Sequence, residues 1–143
     1  NLRKAEPRDK KNVLEIINVL RLDGSEFIWG DDEFVEKQIK RGEYFLAEID
    51  GKVVGIISFK QREDKMYIET LAVIKEYRSQ GVGTLLVEFA KNFTRGKRIN
   101  TLCACSFYEY KAERFYLNQG FSLLKKSGKY NNREYHRFEI KLQ

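Results

Sequence analysis

Arg78-Ser79-Gln80-Gly81-Val82-Gly83-Thr84 stands between two stretches of different hydrophobic period. Ahead of it, Tyr67-Ile68-Glu69-Thr70-Leu71-Ala72-Val73 reads as a β-strand. After it, Val82, Leu85, Leu86, Phe89, Ala90 and Phe93 share one face at helical spacing. Two glycines where a strand turns into a helix let the backbone approach a ligand with no Cβ in the way. The first helical turn leaves N–H groups without intrahelical acceptors, and the helix dipole favours an anion beside them. Arg78 adds a permanent positive charge. The stretch is expected to cradle a phosphate; a plain strand–helix turn, with glycines for geometry alone, is the alternative. A Walker loop needs a lysine after its last glycine, and none follows Gly83. A dinucleotide fingerprint needs a third glycine, where Leu86 stands.

The run matches R/Q-x-x-G-x-G/A, led in by Leu71-Ala72-Val73-Ile74-Lys75-Glu76-Tyr77-Arg78. In this it resembles the pyrophosphate-binding motif of the GNAT family of N-acetyltransferases, whose usual lead-in is L-A-V-x-x-x-Y-R. Further on, Ala112, Phe115-Tyr116 and Gly120-Phe121 are similar to the family's A-x-x-F-Y-x-x-x-G-F signature. Two motifs in the family's order and spacing extend the resemblance over most of the chain.

At 143 residues the chain is expected to form one domain, residues 1–143, with an ordinary core. Composition, 42% hydrophobic and 34% charged, is that of a soluble globular protein. No apolar run approaches the roughly 20 residues of a membrane span, and no signal peptide is visible, so a cytoplasmic location and no membrane partner are expected. The net charge of +6 is spread along the chain without a zinc-finger, homeodomain or RNA-binding signature, so no nucleic-acid partner is expected. Cys103 and Cys105 lie two apart on a β-rich run and share a face. They read as reduced core residues, with a reactive thiol as the alternative and no metal site.

The expected elements begin with a strand at Leu2–Ala5 and a helix from about Asp9 carrying Val13, Ile16, Ile17 and Leu20. Asp23-Gly24-Ser25 breaks it, and Glu26–Asp32 reads as a loop exposing Phe27, Ile28 and Trp29 before a short helix with Phe34, Val35 and Ile39. Tyr44–Ile49 and Val53–Phe59 form a hairpin through Asp50-Gly51. After the cradle helix come a strand at Ile99–Cys105, a helix from about Glu109 to Asn118 stopped by Gly120, and strands at Phe121–Lys125 and Tyr135–Leu142.

This order, β-α-α-β-β-β-α-β-α-β-β, is that of the GNAT fold. The resemblance implies an α/β (mixed α+β) architecture: one mixed, mostly antiparallel seven-stranded sheet flanked by about four helices and splayed between strands 4 and 5. It also implies an acetyl-CoA-dependent N-acetyltransferase acting on a primary amine of a small molecule or peptide, with no metal. A non-catalytic acyl-CoA-binding sensor is the alternative.

Residue by residue, the resemblance assigns the backbone of Leu71 and Val73 to the pantetheine arm, and Arg78, Gln80, Gly81, Gly83 and Thr84 to the pyrophosphate. Tyr116 is the candidate general acid, a phenol able to protonate a departing thiolate. Glu69, on the same strand face as Leu71 and Val73, is the candidate base, with water as the alternative. The family's more usual acidic slot lies two residues earlier and holds Tyr67. Glu109 stands where many relatives carry an asparagine that contacts pantetheine, and a carboxylate cannot donate that hydrogen bond. Phe27, Trp29 and Tyr130 are candidate walls of the acceptor pocket, with a small exposed lid or a piece of ordinary core as the equal alternative. Ala104 falls where ribosomal-protein N-terminal acetyltransferases carry a catalytic glutamate, which argues against that subgroup. His136 reads as an edge or core histidine, and the chain as a monomer or homodimer.

Overall fold

A computed structural model describes residues 1–22 and 27–143. Four α-helices and an eight-stranded, mostly antiparallel mixed sheet make up the regular structure among these residues. They fall into two compact units, residues 1–59 with 69–86, and residues 60–68 with 87–143.

The first unit holds β1 (Leu2–Lys4), α1 (Lys10–Ile17), α2 (Asp32–Lys40), β2 (Tyr44–Ile49) and most of β3 (Lys52–Arg62). The last five residues of β4 (Lys65–Val73) and the first of α3 (Val82–Gly96) also belong to it. β1 and β3 flank β2, both antiparallel to it. The β2–β3 turn is the expected one, because Asp50 and Gly51 take φ of 52° and 78°, the two left-handed residues a tight hairpin requires. At the start of α2 the Asp31 carboxylate accepts from the Phe34 amide at 3.2 Å, and Asp32 and Glu33 occupy the first turn against the helix dipole. The core packs Val13, Ile16 and Ile17 of α1 and Val35 and Ile39 of α2 onto Tyr44, Leu46, Ile56 and Ala72 of the strands. On β3, a Cβ at Gly55 would lie 3.0 Å from Leu86 Cδ1 and 3.1 Å from Val82 Cγ1, so the glycine lets α3 seat closely on the strand.

Arg3 and Asp9 clamp the chain entry. The guanidinium makes paired 2.8 Å bonds to both Asp9 oxygens, and Asp9 is 3% exposed. These bonds hold the Asp9 carboxyl below the usual carboxylate range, against burial and with help from the Glu6 amide at 2.7 Å. A depressed folded-state pKa stabilises the fold above the unfolded value of about 3.9 and loses that contribution as pH falls through the folded value. Arg3→Met is expected to cost about 3 kcal/mol near neutral pH by stranding the carboxylate. Urea unfolding should find the penalty shrinking below about pH 4.

The second unit holds the start of β4, β5 (Thr101–Phe107), α4 (Glu113–Asn118), β6 (Ser122–Leu123), β7 (Gly128–Tyr130), β8 (Arg133–Lys141) and the rest of α3. β4 runs parallel to β5 over Met66–Ile68 against Leu102–Ala104. β8 is antiparallel to β5 from Thr101↔Lys141 to Phe107↔Tyr135 and also pairs with β6 and β7. Leu102, Ala104, Tyr116, Phe121 and Phe138 are buried. Gly120, at φ 97°, ends α4 as expected of a glycine just past a helix.

Several sequence expectations are corrected. The C-terminal strand pair is three strands, because Asn131 and Asn132, both left-handed, fold a hairpin between β7 and β8. The helix expected from Glu109 starts at Glu113; a 3-10 turn covers Tyr108–Tyr110 and a left-handed Lys111 (φ 53°) separates the two. Leu20 lies in a 3-10 turn that continues α1, and Leu85 is 45% exposed rather than on the buried stripe. Phe27 is buried against expectation, whereas Ile28 is exposed. Cys105 is exposed, and only Cys103 is core. The break assigned to Asp23-Gly24-Ser25 lies outside the described residues.

Candidate active site

The loop expected to cradle a phosphate lies within the first unit. β4 ends at Val73, a 3-10 turn spans Lys75–Tyr77, and α3 begins at Val82. Ser79 and Gly81 take φ of 63° and 86°, and these left-handed residues turn the chain into the helix. Nothing lies within 4 Å of where a Gly81 Cβ would be. The glycine therefore answers to backbone conformation and leaves open space beside the helix start, as a bound anion requires. The Leu85 amide donates to the Gly81 carbonyl at 3.0 Å, which starts the helical ladder directly after the loop.

The side chains of the loop brace it. Arg78 Nε donates to the Val73 carbonyl at 3.2 Å, and Gln80 Nε2 donates to the Glu76 carbonyl at 3.0 Å. Arg78 is exposed, and this bond engages one edge of its guanidinium, which carries further donors. Gly83 and Thr84 stand in the first turn of α3.

Along β4, burial alternates strictly: Met66, Ile68, Thr70 and Ala72 are buried, while Lys65, Tyr67, Glu69, Leu71 and Val73 are half-buried. Glu69 therefore shares the more open face with Leu71 and Val73, as the strand period requires. Its charge reaches the buried Tyr44 hydroxyl, whose pKa is pushed up mainly by burial and further by Glu69.

Tyr116 sits in the second unit, 5% exposed, on a helix of only six residues. Three aromatic neighbours fix its ring: Phe138 stacked at 4.8 Å, Phe121 edge-on at 5.4 Å and Phe115 edge-on at 5.2 Å. Burial pushes its phenol pKa well above that of an ordinary tyrosine, with a smaller push from Cys105.

Glu109, in the 3-10 turn, accepts from Arg133 at 2.6 Å, which ties β8 to the turn after β5. Tyr130 packs near Phe107 at 6.5 Å, where Tyr135 and Tyr110 gather at 6.3 and 5.6 Å. Burial raises the Tyr110 hydroxyl to about 12. Phe107 and Tyr110 escaped the sequence reading, because only the β7–β8 hairpin brings Tyr130 and Tyr135 onto them. In the first unit Phe27 and Trp29 stack on each other at 4.6 Å and 14°. His136 stacks on Tyr108 at 4.2 Å, with Nε2 3.5 Å from Glu113.

Over 85 residues the chain is 31% identical to a probable N-acetyltransferase, camello, of Xenopus tropicalis; the matched stretch is 55% of this chain and 39% of that protein. The chain thus spans well under half the length of that curated relative. Among solved structures, Ard1 from Thermoplasma volcanium superposes with a TM-score of 0.86 at 17% identity, over 100% of this chain and 97% of that one. The PaiA N-acetyltransferase from Thermoplasma acidophilum, solved in complex with coenzyme A, superposes with a TM-score of 0.79 at 17% identity, over 96% of each chain. At these identities the likeness is one of fold. The model of the acetyltransferase (GNAT) family matches residues 14–121, so the chain belongs to that family.

Proposed function

We infer that the protein transfers the acetyl group of acetyl-CoA directly to a primary amine. The observation that carries this reading is the cradle: left-handed Gly81 with open space beside it, at the start of a fifteen-residue helix and next to an exposed arginine. A doubly charged pyrophosphate suits such a helix start. In this reading Arg78, Gly81, Gly83 and Thr84 hold the pyrophosphate. Gln80 acts indirectly, because its amide braces the loop through Glu76. The backbone of Leu71 and Val73 lines the pantetheine arm. The Val73 carbonyl already serves Arg78, which leaves the Val73 amide as the donor there.

The transfer makes a bond from the amine nitrogen to the acetyl carbon and breaks the carbon–sulfur bond. Tyr116 gives its proton to the departing thiolate, and Glu69, directly or through water, takes one from the amine. In this reading Glu109, which also pairs with Arg133, meets the pantetheine arm as an acceptor rather than as the donor that the matching asparagine supplies in many relatives. Tyr130, Phe27 and Trp29 stand as candidates for the acceptor's surroundings.

The test is calorimetric titration with acetyl-CoA, followed by thiol release across amino acids, polyamines, lysine peptides and peptides with free N-termini. Arg78→Ala is expected to weaken acetyl-CoA binding by about 10–100-fold, the size of one lost charge-assisted hydrogen bond. Absence of acetyl-CoA binding would overturn the reading. Binding without turnover of any acceptor would point instead to a sensor module.

A further inference from the structure

Strand register in the second unit gathers a set of side chains that no single motif announces. Tyr67 is the Cα partner of Cys103, Cys103 of Glu139, and Cys105 of Arg137. Residues directly opposite on neighbouring strands point to the same side, and so do residues two apart on one strand. These five side chains therefore share one face of the sheet. The opposite face carries Phe138, on which Tyr116 stacks.

The charges on the shared face are unevenly matched. Glu139 is committed: Lys65 Nζ lies 3.2 Å from its Oε2, and Lys141 Nζ lies 3.8 Å from its Oε1. Arg137 is half-buried, yet it has no carboxylate partner among the described residues. Arg62 has none there either, and its guanidinium carbon stands 5.8 Å from the centre of the Tyr67 ring. Two arginines thus attend Tyr67, and neither is neutralised. Arg62 is exposed, so the cost of a partly desolvated charge without a counterion falls on Arg137, whose planar guanidinium fork matches a carboxylate in two parallel bonds.

We propose that Arg137, with Tyr67 and Arg62 beside it, binds a carboxylate of the acceptor, so that the amine acetylated is one bearing a carboxylate a few bonds from its nitrogen. The assignment rests on the acetyl-transfer reading and narrows its substrate class. Tyr67 is suited to the part. Burial raises its pKa and so keeps the phenol protonated, able to donate to the anion, while the nearby Arg137 charge pulls it partly back.

The test is an NMR titration of the protein saturated with coenzyme A, using N-acetylglycine and its neutral counterpart N-acetylglycinamide as probes. The acid is expected to shift the Arg137 Nε and Tyr67 resonances and to bind at least tenfold more tightly than the amide. Arg137→Gln should abolish that preference, and Arg137→Lys should restore part of it. Steady-state kinetics supply the second readout: the ratio of kcat/KM for glycine to that for glycinamide should fall at least tenfold in Arg137→Gln. Equal affinity for the two probes, binding of neither, or a preference that survives Arg137→Gln would overturn the proposal. Coenzyme A binding and turnover of amidated acceptors by the unmodified protein report on acetyl transfer separately.

Discussion

Tyr116→Phe is expected to lower thiol release from acetyl-CoA about 100-fold, at the lower end of what a positioned general acid contributes, with acetyl-CoA affinity unchanged. The substitution removes one oxygen from a ring held by Phe138, Phe121 and Phe115, so the packing persists and only the proton source is lost. Burial strengthens the case in one respect and weakens it in another. It raises the phenol pKa, so the proton is present at every physiological pH, but it also makes that proton harder to give up. A thiol is a stronger acid than a phenol, so the transfer requires the departing sulfur to be desolvated too, which raises its own affinity for the proton. A rate within threefold of the unsubstituted protein would remove Tyr116 from the chemistry and leave the thiolate to be protonated by water.

Phe138→Ala should produce the largest loss of stability, about 3–5 kcal/mol, because Phe138 is 1% exposed and large-to-small substitution of a buried aromatic leaves a cavity. For a chain of this length that is a fall in Tm on the order of 10 °C. Scanning calorimetry checks it, with Phe138→Leu beside it to separate lost volume from lost ring stacking. Because Phe138 is the stacking partner of Tyr116, the alanine variant should also lose activity in excess of its loss of folded protein at 25 °C. A Tm within 3 °C of the unsubstituted protein would mean that the surrounding aromatics close over the gap.

Much of the fold is legible in the order of residues because its signals are local. Asp50-Gly51 demands a hairpin through backbone dihedrals alone, and the alternation along β4 reports which face is covered. The turn from strand into helix at Gly81 is legible for the same reason, since the glycine and the helix that follows are contiguous. What escaped was decided by single backbone choices or by distant partners. Nothing in Tyr108–Ala112 announces that Lys111 turns left-handed and delays α4 to Glu113. Phe27 reads as exposed because its polar and glycine neighbours look like loop, yet its ring is buried and stacks on Trp29. Arg137 is the clearest case: seventy residues from Tyr67 in the chain, it comes near that ring only through the register of β4, β5 and β8.

Cys103 and Cys105, two apart on β5, meet opposite fates. The first is buried, with a thiol made less acidic by desolvation and by Glu139, and the second is exposed. The bench consequence is immediate. A colorimetric reagent that counts released coenzyme A by its sulfur will also count one protein sulfur per chain, and will count it early. That background equals the enzyme concentration, so slow acceptors must be followed beyond the first turnover before a signal is credited to them. The same sulfur lies beside Arg137 in the register of the sheet, so its labelling rate in the presence of a trial acceptor doubles as a footprint of occupancy.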